Sequence, residues 1–301
     1  MADMFRMKMA DGEILVPIID HSNWKEEMVY TDGSEVKGRG YVERDFKVNP
    51  VGCYENVPAM KDVNIQLYQP SDYSALCKSR VETKTRLSDI RMRGNFGKMI
   101  PSLDQGQVGY CWAHSSVGAV QILRAILNLA YVPLSAYAVA ATIKNGRDEG
   151  GWGALSLEFI MKYGVPSQAL WPQGDRNTHL WTPDCQANAA LHKVTDGWVD
   201  LEAAVYDRTL SKQQVCTLLL SRIPVVLDYN WWGHSVLGLD LVEIEPGDFG
   251  VLILNSWGDG WKDHGMAVLR GSQAWPDGAV APTTVTASLK AHVAAIKALA
   301  I

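Results

Sequence analysis

The sequence predicts an α+β fold made of two unlike halves. Between residues 111 and 163, apolar residues recur mainly at three- and four-residue steps, a periodicity typical of buried helices. Between residues 224 and 269, the pattern changes to short β-branched and leucine-rich runs separated by turn residues, which is typical of a sheet. Because the helical segments precede the strands, we expect a helical half, a β-rich half and a cleft between them.

The individual elements follow from these patterns and from their end signals. Pro133 ends the first helix, Gly164 and Pro166 end the third, and Ser211 is a suitable N-cap for the fourth. The predicted helices span residues 111–130, 134–143, 154–163 and 211–221. The predicted strands span residues 13–19, 64–68, 224–229, 234–244, 250–255 and 265–269.

The regions on either side of this central domain (residues 96–272) carry weaker patterns. Residues 1–95 show no long amphipathic helix and predict an N-terminal extended or β-rich accessory region. Its charged end, residues 79–93, is interpreted as a solvated linker. After the central domain, the sequence predicts a linker rich in Pro, Ala, Gly and Thr over residues 271–286 and an alanine-rich helix over residues 287–301. Residues 273–301 are therefore the predicted C-terminal unit, a linker and a helix.

The composition excludes several classes of function. Acidic residues outnumber basic ones by 33 to 28, so no nucleic-acid partner is expected. No uncharged apolar run of about 18 residues indicates a membrane span, and the N-terminus lacks the hydrophobic region of a secretory signal, so we expect a cytoplasmic protein. The five cysteines are irregularly spaced without a C-x-x-C pair, which argues against a disulfide framework, a zinc site or any other metal or cofactor.

One stretch, residues 105–115 (QGQVGYCWAHS), indicates a thiolate nucleophile. A thiol with a pKa near 8.5 needs help to ionise, and both a helix N-terminus and an adjacent imidazolium provide it. Cys111 lies where a glycine-rich turn meets the first helix. His234 follows Gly233 at the start of a strand and is the candidate base, and Asn255 ends a later strand and is the candidate partner that orients its ring. The Gln105 amide and the Cys111 backbone N–H are candidate donors to an oxyanion.

Each of these residues also has a purely structural explanation. A cysteine at a helix start, a histidine on an apolar strand and an asparagine before a tryptophan are all common in ordinary protein cores. Their occurrence together, in consistent order and in the local settings that the chemistry requires, is what favours a catalytic site.

Three motifs resemble those of the papain-like (C1) cysteine peptidases. Residues 105–113 (QGQVGYCWA) are similar to the motif Gln-Gly-x-Cys-Gly-x-Cys-Trp-Ala that opens the catalytic helix of this family. Residues 234–236 (HSV) and 255–262 (NSWGDGWK) are similar to its histidine and asparagine blocks. The resemblance covers residues 97–270 and implies a papain-like two-lobed fold, a helical lobe plus a β-barrel-like lobe, with endopeptidase chemistry between the lobes. It also implies that Gly150, Gly151 and Trp257 bind substrate.

The chain departs from the family pattern at three places, which makes it an atypical member, of phage or bacterial type. Val108 stands where a disulfide cysteine is usual. His114 replaces an aromatic residue one turn beyond Cys111, and is either a wall residue or a second imidazole that perturbs the thiolate. Residues 1–95 lack the long helical pattern of the usual inhibitory propeptide, so we interpret them as a docking or assembly segment.

Three functional hypotheses follow. The first is a peptidase that hydrolyses peptide or protein substrates through Cys111, His234 and Asn255 and a thioester acyl-enzyme. The second is a structural component of a large particle such as a phage virion, or of a homo-oligomer, assembled through residues 1–95 and 287–301. The third is acyl transfer to an amine or thiol, which passes through the same intermediate.

Overall fold

A computed structural model describes residues 3–9, 12–94 and 98–285. Its centre is an eight-stranded mixed sheet with helices on both faces. The strands of this sheet are β1 (Met4–Met9), β2 (Gly12–Ile19), β5 (Trp198–Asp200), β6 (Val225–Tyr229), β7 (His234–Glu245), β8 (Asp248–Leu254), β9 (Met266–Leu269) and β10 (Gly278–Pro282). A separate short hairpin consists of β3 (Thr31–Asp32) and β4 (Glu35–Val36).

The order of strands across the sheet is β1-β2-β9-β8-β7-β6-β10-β5. Strands β6 to β9 are consecutive antiparallel neighbours and confirm the sheet predicted from their apolar runs. Strand β2, also predicted, joins this sheet by pairing in parallel with β9. The N-terminal strands are therefore continuous with the β-rich half of the molecule.

The helices divide between the two faces of the sheet. They are α1 (Trp24–Glu27), α2 (Tyr73–Glu82), α3 (Leu87–Arg93), α4 (Cys111–Ile126), α5 (Ala136–Lys144), α6 (Gly153–Tyr163), α7 (Pro183–Ala189) and α8 (Ala204–Leu220). The helices α4, α5 and α6 share one hydrophobic core with the inner face of the sheet, and α8 packs in a second core on the other face. Helix α4 is almost entirely buried, as its periodicity predicts, and ends where Asn128 takes a left-handed φ of 60°.

Three expectations about the flanking regions are wrong. Residues 79–93 are not a solvated linker: they belong largely to α2 and α3, and the Arg91 side chain is fully buried in an ion pair with Asp259 at 2.8 Å. Charge density was a poor guide here because the charges pair with one another inside the fold. Residues 64–68 form no strand, and residues 271–286 are not all linker, since β10 inserts between β6 and β5.

Two further predictions have no outcome in the structure. The helix predicted over residues 287–301 lies outside the described residues. The division of the chain at residues 95 and 272 stays a prediction. Within the described part of the chain, no helix has the length and apolar character needed to cross a membrane.

Candidate active site

Cys111 is the first residue of α4 and is completely buried. The glycine-containing turn before it brings the chain sharply into the helix, and Tyr110 is the N-cap residue. The backbone N–H of Ser235 donates to the Cys111 Sγ atom at 3.4 Å. Because Ser235 directly follows His234 on β7, this contact places the thiol of the helical lobe against the histidine-bearing strand of the β-rich lobe.

His234 is held in one tautomer by Asn255. The His234 Nε2 atom lies 2.7 Å from the Asn255 Oδ1 atom, which also accepts the backbone N–H of Ser256 at 2.8 Å. A backbone N–H only donates, so this oxygen is an acceptor and His234 Nε2 must carry the proton. The buried Nδ1 atom has no hydrogen-bond partner among the described residues and is left as the basic nitrogen.

Burial sets the charge state of both groups in this conformation. It raises the pKa of the Cys111 thiol to about 12, against the smaller lowering effect of the Ser235 N–H. Burial, with a smaller contribution from the positive charge of Arg39, lowers the pKa of His234 to about 3, against the raising effect of the Asn255 hydrogen bond. The covered site therefore holds a neutral thiol and a neutral imidazole at pH 7, although a helix N-terminus favours the thiolate.

Gln105 is fixed beside this pair by contacts to both lobes. Its Nε2 atom donates to the Val108 carbonyl at 2.8 Å, and its Oε1 atom accepts the Ser256 hydroxyl at 2.5 Å. The Gln105 backbone N–H also donates to the Ser256 carbonyl at 2.9 Å. One of the two amide hydrogens of Gln105 is used by Val108, which leaves the second available for another acceptor.

The groove between the lobes is filled by the chain's own residues 38–42, here called the strap. Gly151 and the strap form a two-bond backbone ladder: the Gly151 N–H donates to the Gly40 carbonyl at 3.0 Å, and the Val42 N–H donates to the Gly151 carbonyl at 2.9 Å. On the opposite wall, the Tyr41 N–H donates to the Gly233 carbonyl at 3.2 Å. The strap thus bonds to both walls of the groove and covers the site.

The two glycines predicted to bind substrate backbone lie directly under the strap. A Cβ atom at Gly150 would be 2.5 Å from the Gly40 carbonyl oxygen, and one at Gly151 would be 2.8 Å from the Trp112 ring. The absence of a side chain at Gly150 allows a second backbone to approach, and its absence at Gly151 makes room for the Trp112 ring. In this structure that second backbone is the strap.

Trp257 joins the strap to the histidine. Its ring packs on His234 with centroids 4.8 Å apart, and its Nε1 atom donates to the Gly38 carbonyl at 2.8 Å. Tyr30 stacks on the far side of the same indole at 5.8 Å. Residues from before the strap therefore complete the enclosure of the imidazole.

His114 does not act as a second active-site base in this structure. Its Nδ1 atom lies 2.8 Å from the Tyr110 carbonyl and its Nε2 atom lies 3.2 Å from the Gln173 amide. Burial lowers the pKa of His114 to about 4, so the ring is neutral. Of the two interpretations of His114, the structure supports a wall residue within the helical lobe.

The comparison with protein families supports this arrangement of elements. The family profile described as papain family cysteine protease matches residues 87–240, which is half of the chain. This chain belongs to the papain family.

Individual relatives agree with this assignment. A probable cysteine protease RDL2 from Arabidopsis thaliana is 27% identical over 60% of this chain and 54% of its own length, and a cathepsin L-like proteinase from Phaedon cochleariae is 25% identical over 56% of each chain. The chain spans about half the length of the curated relatives it matches. Xylellain, a cysteine protease from Xylella fastidiosa, superposes with a TM-score of 0.53 at 17% identity, over 82% of this chain and 97% of its own, which supports the fold.

The comparisons confirm the resemblance to papain-like peptidases and the two-lobed α+β fold expected from it. The structure also brings together all the predicted site residues: Cys111, His234, Asn255, Gln105, Gly150, Gly151 and Trp257. Sequence reasoning missed the strap and the contact between Ser256 and Gln105. Gly38 and Gly40, two glycines close together in a polar segment, were the available signal for a close backbone approach.

Proposed function

We propose that the chain is a cysteine endopeptidase that cleaves peptide bonds through a thioester acyl-enzyme. The observation that carries the proposal is a helix-terminal thiol bonded to the residue that follows His234, together with the state of the His234 ring. The Nε2 atom of that ring is bonded to Asn255, and its Nδ1 atom has no hydrogen-bond partner among the described residues. This is the arrangement that a nucleophile and its base require. The names of the relatives, which are cysteine proteases, support the same chemistry.

In the proposed reaction, His234 Nδ1 takes the thiol proton and the Cys111 sulfur attacks the substrate carbonyl carbon. The Cys111 backbone N–H and the free amide hydrogen of Gln105 stabilise the oxyanion. The C–N bond then breaks, and the imidazolium gives its proton to the departing amine. Water, deprotonated by the same imidazole, hydrolyses the thioester and restores the thiol. Transfer of the acyl group to an amine or thiol instead of water stays an alternative.

The strap makes this a latent enzyme in the conformation described. It occupies the backbone-binding glycines, removes water from the thiol and the imidazole, and places the Arg39 guanidinium near His234. The first effect blocks the place where a substrate backbone would bind, and the other two oppose protonation of the imidazole that the thiolate–imidazolium pair requires. Activity therefore requires the strap to leave the groove.

The test uses the full chain with the strap displaced. A Cβ atom at Gly38 would lie 2.3 Å from the Val108 carbonyl oxygen, so Gly38→Ala is expected to displace the strap from the groove. In this background, Cys111→Ala is expected to abolish hydrolysis of a fluorogenic peptide library. Cys53→Ala, which removes an exposed cysteine, should leave the rate unchanged. Hydrolysis that persists at the same rate in the Cys111→Ala chain would refute the proposal.

The assembly role through residues 1–95 and 287–301 stays a prediction that sedimentation of the purified chain tests. The strap gives part of the N-terminal region a function within the same chain, without excluding that role.

A further inference from the structure

A buried carboxylate joins the histidine-bearing strand to the helical lobe. Asp228 on β6 is 4% exposed and lies opposite Ser235 on β7. Its Oδ1 atom accepts the Ser235 hydroxyl, and its Oδ2 atom accepts the backbone N–H of Gly153, the first residue of α6, at 3.2 Å. Each carboxylate oxygen therefore has a donor, one from the β-rich lobe and one from the helical lobe.

The serine in this network is the residue that contacts the nucleophile. The Ser235 backbone N–H donates to the Cys111 Sγ atom at 3.4 Å, while its hydroxyl donates to Asp228. The Ser235 N–H lowers the pKa of Cys111, against the larger raising effect of burial, because a donor aimed at sulfur favours the thiolate. The position of Ser235 therefore bears on how readily the thiol ionises.

The first residues of β7 have less support from the sheet than the rest of the strand. From Leu237 onwards, β7 pairs with β8 as well as with β6. Among the described strands, His234 and Ser235 pair only with β6. A strand end that is paired on one side opens more readily than a strand that is paired on both. The side-chain bond to Asp228 is therefore an additional restraint on the residue whose N–H faces the sulfur.

The bond to Gly153 fixes the carboxylate in turn. A Cβ atom at Gly153 would lie 2.7 Å from the Val226 side chain, so the glycine allows the start of α6 to approach β6 closely. An N–H at a helix start has no acceptor within the helix, and a carboxylate is a favourable partner for it. Burial raises the pKa of Asp228 to about 6, against the lowering effect of its bonds to Ser235 and Gly153. The carboxylate is therefore mostly ionised near neutral pH and accepts both bonds.

We propose that Asp228 is a positioning residue for the reaction: through its bond to the Ser235 hydroxyl, it holds the Ser235 N–H on the Cys111 sulfur. The inference rests on the proposed peptidase function and adds a residue to its machinery. Departure of the strap removes packing from this region, and the hydrogen bonds from Gly153 to Asp228 and from Ser235 to Asp228 then keep the donor in place.

Two substitutions of Asp228 separate its hydrogen bonds from its charge. Asp228→Asn keeps both bonds, because the amide oxygen accepts the Gly153 N–H and the amide nitrogen donates to the Ser235 hydroxyl. Asp228→Val keeps neither. Both variants remove the negative charge, which itself raises the pKa of Cys111. A difference between the two variants therefore reports the hydrogen bonds alone.

The first test follows the thiol without any hydrolysis. The rate of Cys111 alkylation by iodoacetamide is measured against pH by mass spectrometry, both with and without Gly38→Ala, so that the result does not depend on displacing the strap. The pH of half-maximal labelling is expected to be about 0.5 to 1 unit higher in Asp228→Val than in Asp228→Asn, since only the latter keeps the donor on the sulfur. A merely loosened groove would change the maximal rate and not this midpoint. Equal midpoints would overturn the proposal.

The matched control for the first test is Asp240→Val. Asp240 on β7 is also 4% exposed, and its two oxygens accept the backbone N–H groups of Leu87 and Ser88 at the start of α3, at 2.9 and 3.1 Å. It should lose comparable stability in urea denaturation while its labelling midpoint stays at that of the parent chain. A shift as large as the one between the two Asp228 variants would show that loss of any buried carboxylate has this effect, and would refute the role of Asp228.

The second test measures turnover of a fluorogenic peptide in the Gly38→Ala chain. We expect kcat to be about tenfold lower in Asp228→Val than in Asp228→Asn, with KM values within about twofold of each other. With Ser235→Ala added to both, the difference in kcat should fall below about threefold, because the carboxylate then has no hydroxyl to hold. A difference confined to KM, or one that survives Ser235→Ala, would count against positioning through Ser235.

The two tests separate the possible failures. If the Gly38→Ala chain cleaves no peptide, the peptidase proposal fails, and the labelling midpoints of the Asp228 variants still decide whether this residue holds the Ser235 N–H on the sulfur.

Discussion

Gly151 and Gly40 are joined by a backbone hydrogen bond of 3.0 Å, so the edge of the groove is bonded to the chain's own N-terminal segment. Gly151 is one of the two glycines that the family resemblance assigns to substrate binding. A substrate that binds at Gly151 must therefore displace the strap. Because the strap is part of the same chain, its effective concentration at the groove is high. This contact is the reason for proposing that residues far from the site in sequence control access to it.

Displacing the strap should expose the nucleophile. Gly38→Ala brings a methyl group within 2.3 Å of the Val108 carbonyl oxygen. Moving the Gly38 backbone away would break its hydrogen bonds to Gly106 and Trp257. We expect Cys111 alkylation at pH 7 to become at least tenfold faster. The control is Gly260→Ala, where the added methyl would meet only the Tyr30 hydroxyl at 4.0 Å. Similar labelling rates for the two variants would show that residues 38–42 do not limit access.

Removing the orienting amide should reduce turnover. In the strap-displaced chain, Asn255→Ala frees the His234 ring to rotate and to change tautomer. The lost buried hydrogen bond corresponds to about 1–3 kcal/mol. We therefore expect kcat to decrease by about 10- to 100-fold. The KM for a peptide should change little, because Asn255 is buried behind the His234 ring and does not contact the substrate directly.

The matched control for this change is Asn188→Ala. Asn188 also accepts a backbone N–H, from Ser167 at 2.8 Å, but outside the site. It should lose comparable stability while keeping kcat, and a similar loss of kcat in both variants would indicate a general folding defect.

Acid should destabilise the fold through its buried histidines, which in the described part of the chain are His114, His192 and His234. Burial lowers the pKa of His114 to about 4 and that of His234 to about 3, below the ordinary value near 6.5. The unfolded chain therefore binds protons first, so stability is fully present above pH 6.5 and falls as pH decreases towards 4. Each histidine contributes a slope of roughly 1.4 kcal/mol per pH unit in that window.

Urea unfolding at several pH values between 7.5 and 4.5 measures this slope. His114→Phe should make the dependence on pH shallower by about one proton, whereas His179→Phe, on the surface, should not. An unchanged slope in the His114 variant would contradict the assignment of a neutral buried ring.

The segment after the strap is anchored by a buried ion pair. Arg44 donates to both carboxylate oxygens of Asp200, at 2.9 and 2.8 Å, and the two side chains are 5% and 1% exposed. Arg44→Met leaves the Asp200 charge buried without its partner, so we expect a loss of about 3–5 kcal/mol in the free energy of unfolding. Arg6→Met removes an exposed ion pair with Glu13 and should cost less than about 1 kcal/mol. Urea denaturation measures both, and equal losses would contradict a special role for the anchor.

The sequence by itself determined the family and the order of the two lobes, and it predicted the nucleophile. Cys111, His234 and Asn255 are each recognisable because their chemistry requires a local setting that adjacent residues encode. Cys111 follows a glycine turn, His234 starts a strand and Asn255 ends one. Helices α4 to α6 and strands β6 to β9 are likewise encoded by local periodicity, and their observed bounds differ from the predicted ones by a few residues at most.

Only the tertiary structure decided where the N-terminal region lies. The strap has no periodicity, and its position over Cys111 depends on contacts with residues about 70 to 190 positions away, at Gly106, Gly151 and Gly233. The burial of α3 and the insertion of β10 are long-range in the same sense. Local patterns specify elements and the chemistry they carry, whereas packing between distant segments specifies which charges are buried and which grooves are already filled.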